Sequence, residues 1–206
     1  DVETHIHRDR LWLQIAVAVL TNVFVATASI FQSRYLKDAR GYSAFEISMF
    51  ITITTIPATI GLVAGGRLAD KIGRKTVAIV TVPTGTLLFA SSFAMQGFAM
   101  WLIAIVGGVL LGISYPAMAV FRTELFPTAH RNMASILIMV ASLIGGSAGL
   151  IFAGYLLDNG MSYGRVMLSF ALGPVIVAAL VAAKYPETAH LALEEINPED
   201  AHLHSS

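Results

Sequence analysis

The stretch "GGRLADKIGRKT", Gly65 to Thr76, places five charges (Arg67, Asp70, Lys71, Arg74 and Lys75) between two long apolar runs. The rest of the chain is poor in charge. Over 206 residues it is 56% hydrophobic and only 13% charged, where a soluble domain carries about 25%. Its mean hydropathy is +0.72. Two readings compete for the stretch: a phosphate-binding loop, or a cytoplasmic turn between membrane helices. A phosphate loop needs G-x-x-x-x-G-K-[ST] after a strand, so that backbone amides cradle the anion. Here Arg74 follows Gly73, Lys75-Thr76 come one place late, and Gly66 lies seven residues before Gly73. The phosphate reading fails on spacing, and it fails again on the flanks.

Those flanks have the length of membrane spans. A hydrocarbon core of about 30 Å takes about 20 apolar residues of helix. Six segments qualify, at about 11–33, 45–66, 76–96, 99–121, 133–157 and 165–184. No Asp or Glu lies inside any of them, and Glu46 stands at an entrance. Lipid offers the backbone no hydrogen bonds, so such segments are helices. The expected fold is an all-α membrane protein of six transmembrane helices, with residues 1–10 as lead-in and 185–206 as a polar tail. Pro57, Pro83, Pro116 and Pro174 fall inside spans and would kink them, for which packing is the simpler reading. The pairs Gly61/Gly65, Gly108/Gly112 and Gly145/Gly149 have the spacing that lets membrane helices approach closely. The chain opens on Asp1 with no leader before the first span, as a fragment or processed chain would.

Orientation follows from the basic residues. With the N-terminus cytoplasmic, Arg8, Arg10, Arg67, Lys71, Arg74, Lys75, Arg122, Arg131 and Lys184 are inside, against Arg34, Lys37, Arg40 and Arg165 outside. Both termini are therefore expected in the cytoplasm, in a plasma (inner) membrane.

Several chemistries drop out. Cysteine is absent, which removes disulfide and thiolate chemistry. Zero net charge speaks against nucleic acid as a partner. "GGSAG", Gly145–Gly149, matches the G-x-S-x-G of hydrolases, but Ser147 lies mid-span and all six histidines lie outside the spans. No metal-ligand spacing occurs within a span, and His202 and His204 read as solvated tail residues. With neither catalytic constellation, metal nor cofactor expected, the chain reads as no enzyme. Transport, conduction and scaffolding remain.

Polar residues within the spans are the candidates for a solute path. In the first span Gln14, Thr21, Asn22, Ser29 and Gln32 fall roughly on one helical face. Gln14, Asn22 and Gln32 are candidate cavity-lining residues, with interhelical hydrogen bonding as the other reading. Thr52, Thr55 and Thr59 share a face of the second span, where threonine commonly bonds the carbonyl four residues back. Tyr115, beside Pro116, is a fourth lining candidate.

Three motifs together resemble the major facilitator superfamily. Gly66-Arg67-Leu68-Ala69-Asp70 with Gly73-Arg74-Lys75 is similar to its G-x-L-A-D-x-x-G-R-K signature between paired helices. Glu124-Leu125-Phe126-Pro127 leading to Arg131 resembles the E-x6-R motif after the tenth helix. Pro186-Glu187-Thr188, then Leu193-Glu194-Glu195, resembles the PET motif after the twelfth. Their order fits helices seven to twelve, the C-terminal half, in a sugar-porter-like or metabolite symporter branch. Ala119 stands where sugar porters place a Trp, and only Gln14 and Asn22 loosely compare with their helix-seven Gln pair and Asn-containing stretch. Organic acids, aromatic compounds and drug-like solutes stay open beside sugars.

The resemblance implies one half of a twelve-helix transporter, built from two inverted three-helix repeats and working by alternating access. Its partners would be a small-molecule solute, the lipid bilayer and an N-terminal six-helix half. It also implies a cytoplasmic gating network of Gly66, Arg67, Asp70, Gly73, Arg74, Lys75, Glu124, Arg131 and Glu187. In that network the glycines form a tight turn, Asp70 caps an adjacent helix, and the arginines pair with the carboxylates. The other reading of the cluster is topological, with basic residues holding a loop inside. The other functions are a self-sufficient homodimeric six-helix channel or transporter, and a non-transporting scaffold. Any proton-coupling acid is expected in the other half, since no span here holds one.

Overall fold

In the computed structural model, which describes residues 8–124 and 131–185, six helices account for nearly all of the described residues. They are α1 (Arg8–Asp38), α2 (Ala44–Ile72), α3 (Arg74–Ser92), α4 (Gly97–Glu124), α5 (Arg131–Asp158) and α6 (Tyr163–Lys184), with no strand among the described residues. Five are long and apolar enough to cross a membrane, and the protein is an integral membrane protein.

The exception is α3, which has 19 residues and spans about 28 Å at 1.5 Å per residue. Its sequence is diluted by Thr76, Thr81, Thr84, Thr86, Ser91 and Ser92. Most of these hydroxyls are internally satisfied: Thr81 donates to the Val77 carbonyl at 2.7 Å and Thr84 to Val80 at 2.7 Å. Eight residues of α3 are buried, from Val77 to Ser92. A helix enclosed by its neighbours has less need of an apolar surface than one facing lipid.

Side-chain size is distributed as a lipid solvent dictates. Acyl chains are as apolar as leucine, so helix association rests on close packing of small residues. Ala69, Ala78, Ala90, Ala104, Ala117 and Ala153 are buried, while Phe45, Phe98, Ile60 and Ile151 are exposed. Glycine makes the tightest crossing. On α2, a Cβ at Gly65 would strike the backbone of Ile113 on α4, and one at Gly112 of α4 would strike the Ala58 carbonyl on α2.

The packing has a distinct order. α2 lies against α4 and α4 against α3, while α1 lies against α5 and α6; α3 and α6 join the two groups. Two apolar clusters fill the interior. Val17, Val77, Ile138 and Val177 form one, and Phe24, Phe31, Leu36, Phe50, Met100 and Met167 the other. α1 and α4 make little direct contact.

The α2–α3 connection differs from the expected glycine-rich turn. Gly65 and Gly66 are helical, and α2 continues through Ile72. Gly73 alone makes the turn, at φ 101° and ψ 137°, in a region that L side chains rarely adopt. Its amide donates to the Ala69 carbonyl at 3.1 Å, and its own carbonyl accepts from Val77 at 3.1 Å. Two glycines of the motif therefore have different jobs, with Gly65 giving close approach and Gly73 giving the turn. On the opposite end, Ser43 and Glu46 form a reciprocal capping box at the start of α2, satisfying two amides that the helix leaves unbonded.

Candidate functional site

The gap between α1 and α4 is a cavity of about 520 Å³, within the range of small-molecule sites. Its lining comes from the middle of five helices: Thr21 in α1, Ala58 in α2, Val82 in α3, Leu111 in α4 and Pro174 in α6. If these helices cross the bilayer, the cavity lies near its midplane. The exposed lining residues are Val25, Thr59, Leu62, Tyr115 and Ala119, so the mouth opens between α1, α2 and α4. The floor is made by buried Val82 and Thr86 of α3 and Pro174 of α6.

Prolines shape the lining. Pro174 lines the cavity, and Pro57 and Pro116 adjoin the lining residues Ala58 and Tyr115. Proline has no N–H to return to the carbonyl four residues back. For Pro116 that carbonyl belongs to Gly112, itself a lining residue.

Among the described residues, no Lys, Arg, Asp or Glu lines the cavity. The polar groups are Gln14, Thr21, Thr59, Thr86, Ser114 and Tyr115. Two of these hydroxyls stand apart. The buried Thr27, Thr54, Thr81, Ser92 and Ser114 each donate to a backbone carbonyl of their own helix, at 2.6–2.9 Å. Thr86, at 0% exposure, has no hydrogen-bond partner, and neither does the buried hydroxyl of Thr21. A buried hydroxyl left unsatisfied costs about 1–3 kcal/mol.

Of the four lining candidates, Gln14 and Tyr115 border this cavity, and Asn22 and Gln32 do not. Asn22 points the other way, donating from Nδ2 to the Ser142 carbonyl of α5 at 2.8 Å. Its amide fills the space that Gly146 leaves: a Cβ there would lie 2.6 Å from Nδ2. Asn22 thus takes the interhelical role. Gln32 is half-buried on α1, above the cavity level. Of the second-span threonines, Thr52 and Thr59 donate to the Ser48 and Thr55 carbonyls. Thr86 and Ser114 are polar lining residues that the sequence did not single out.

At the α2–α3 turn, Asp70 lies 3.8 Å from the Arg74 Nη2, with side chains 70% and 20% exposed. Asp70 does not cap α3, which starts without a side-chain cap and without an acidic residue in its first turn. Arg74 and Lys75 sit instead at the positive end of the α3 dipole, where cations are unfavourable. Their placement therefore does not serve α3 itself. Arg67 and Lys71 are exposed. Of the remaining network residues, Glu124 ends α4 and Arg131 begins α5, but their side chains, and all of Glu187, lie outside the described residues.

Comparison with known proteins matches residues 13–204 to the family described as the Major Facilitator Superfamily. Among curated proteins, the gallate transporter of Pseudomonas putida is 24% identical over 183 residues, 86% of this chain and 40% of the relative. The arabinose-proton symporter of Bacillus subtilis (strain 168) is 28% identical, over 75% of this chain and 35% of the relative. The cis,cis-muconate transport protein of Acinetobacter baylyi is 26% identical, over 75% and 37%. The chain thus spans at most two fifths of the length of these relatives.

Proposed function

The chain belongs to the major facilitator superfamily, and from that premise we propose that it is the C-terminal six-helix half of a secondary transporter. In this reading it carries a small solute by alternating access and requires an N-terminal six-helix half. The observation that carries the reading is the mid-helix cavity opening between α1, α2 and α4. Transporters of this architecture hold the solute near the midplane between halves, and a cavity open on one side of a half is what such a division needs.

The packing order supports two three-helix repeats. If α1, α2 and α3 exchange with α4, α5 and α6, the α2–α4 pair maps onto α5–α1 and the α3–α4 pair onto α6–α1. The α3–α6 pair maps onto itself. These are the main helix pairs of the bundle. The coverage of the relatives, 35–40% for the three named above, supports a second half of comparable size.

The Asp70–Arg74 pair is one corner of a cytoplasmic latch that also takes in Arg67, Lys75, Glu124, Arg131 and Glu187, closed when the cytoplasmic side is closed. Exposed ion pairs contribute only about 0–1 kcal/mol each, too little to hold the fold. A set made in one conformation and broken in the other shifts the balance between them.

The test is uptake in proteoliposomes holding either this chain alone or the complete reading frame. Uptake by the complete protein and none by the chain alone is expected. Uptake by the chain alone, with a dimer in detergent, would overturn the half-transporter reading in favour of a homodimer.

A further inference from the structure

Resting on the reading of the cavity as the solute site, we infer that Thr86 and Thr21 form a hydroxyl subsite in its depth, binding a hydroxyl group on the solute's ring. The hydroxyl of Thr86 is fully buried, lines the cavity and has no partner. Thr21 lines the same cavity from α1, and its buried hydroxyl is equally unpartnered.

The contrast within the molecule gives the observation its weight. Thr81 and Thr84, on the same helix as Thr86, return their hydroxyls to carbonyls four residues back. Thr27 does so on the helix of Thr21. That local bond is the default for a buried threonine in a helix. The two threonines that forgo it both line the cavity, on different helices. An unpartnered buried hydroxyl is one to be explained by a ligand or water.

The surroundings restrict the ligand. None of the described lining residues is charged, so among the described residues the cavity offers a solute carboxylate no counter-ion, and the subsite takes a neutral donor–acceptor group. A solute hydroxyl can donate to one threonine and accept from the other, whereas a carboxylate cannot donate. Phe24, Leu111 and Pro174 supply apolar wall for the body of a ring. The class is a small ring bearing hydroxyl groups. A sugar and a hydroxylated aromatic acid both present it, the acid turning its carboxylate away from this half.

The experiment uses the complete transporter in membrane vesicles, with two solute pairs: gallate against benzoate, and arabinose against its 2-deoxy analogue. Thr86→Val removes the hydroxyl at constant shape, and Thr86→Ser restores it. The expected result is a KM raised about ten-fold for the hydroxylated member of one pair, no change for its partner, and recovery with Thr86→Ser. The pair that responds identifies the ring. A separate measurement places Tyr115→Cys at the mouth, in a cysteine-free background, and asks whether the four solutes slow its reaction with a neutral thiol reagent. Protection at Tyr115→Cys with equal effects of Thr86→Val on both members of each pair overturns the subsite and leaves the cavity standing. No protection by any of the four overturns both.

Discussion

Gly65 of α2 rests directly on the backbone of Ile113 of α4, with no room for a Cβ, while its neighbour Gly66 has nothing within 4 Å of where a Cβ would lie. Two adjacent glycines of one motif therefore do unlike work. Gly65→Val is expected to push α2 from α4 and to destabilise the bundle by about 1–3 kcal/mol, as overpacking does. Gly66→Ala is expected to leave stability unchanged or to raise it by up to about 1 kcal/mol, the helix-propensity difference. Thermal unfolding of the two variants in one detergent checks both. Equal losses would mean that the crossing is not set at Gly65.

Asn22 bonds α5 through Ser142 rather than facing the cavity. Asn22→Ala is expected to lower stability by about 0.6–1.7 kcal/mol, the range for hydrogen bonds between membrane helices. It should leave the KM for solute within two-fold (about 0.4 kcal/mol). Gln14→Ala, at a buried position in the cavity wall, should do the reverse and raise KM. Uptake and melting measured on the same preparations separate the two residues. A KM change from Asn22→Ala larger than that from Gln14→Ala would return Asn22 to the solute path.

These two asparagine and glycine cases mark what the sequence could convey. Length and apolarity were enough to place six helices, because lipid leaves the backbone no other structure. The facing of each polar residue was harder. Thr21 and Asn22 are adjacent, only about 100° apart around the helix at 3.6 residues per turn, and one meets the cavity while the other meets α5. Periodicity marks a polar side of α1 but does not say which neighbour each residue on it will meet. Gly66 looked like part of a turn, yet it lies within α2 beside Gly65, and only Gly65 is pressed against α4. Thr86 was hidden for a different reason. A threonine in a helix is expected to bond its own backbone, and only the finished packing reveals one that does not. The signal available was its setting, a third threonine within six residues around Pro83.

Asp70 and Arg74 approach to 3.8 Å with Asp70 largely exposed. Asp70→Asn is expected to change fold stability by less than about 1 kcal/mol, as for other exposed pairs, while shifting the conformational balance of the complete transporter. The readout is labelling of a single cysteine introduced on the cytoplasmic face, alongside transport kinetics. Faster cytoplasmic labelling and altered kinetics are expected. Unchanged labelling with unchanged kinetics would reduce the cluster to a topological signal, its basic residues simply holding the turn inside.

Among the described residues no carboxylate lines the cavity, and the sequence places no Asp or Glu within the interior of any span. A proton carried through a membrane protein commonly rides on an ionisable group buried in it. One of the relatives is named a proton symporter. If the complete protein is proton-coupled, the acid is therefore expected in the proposed N-terminal half, and neutralising each carboxylate in the spans of that half in turn should find one whose loss abolishes solute-driven alkalinisation while exchange of solute persists. Neutralising Asp70, Asp158 or Glu46, at helix ends, should leave the proton-to-solute ratio intact. Coupling that survives removal of every acid in the N-terminal spans would place the proton site in this half and overturn the assignment.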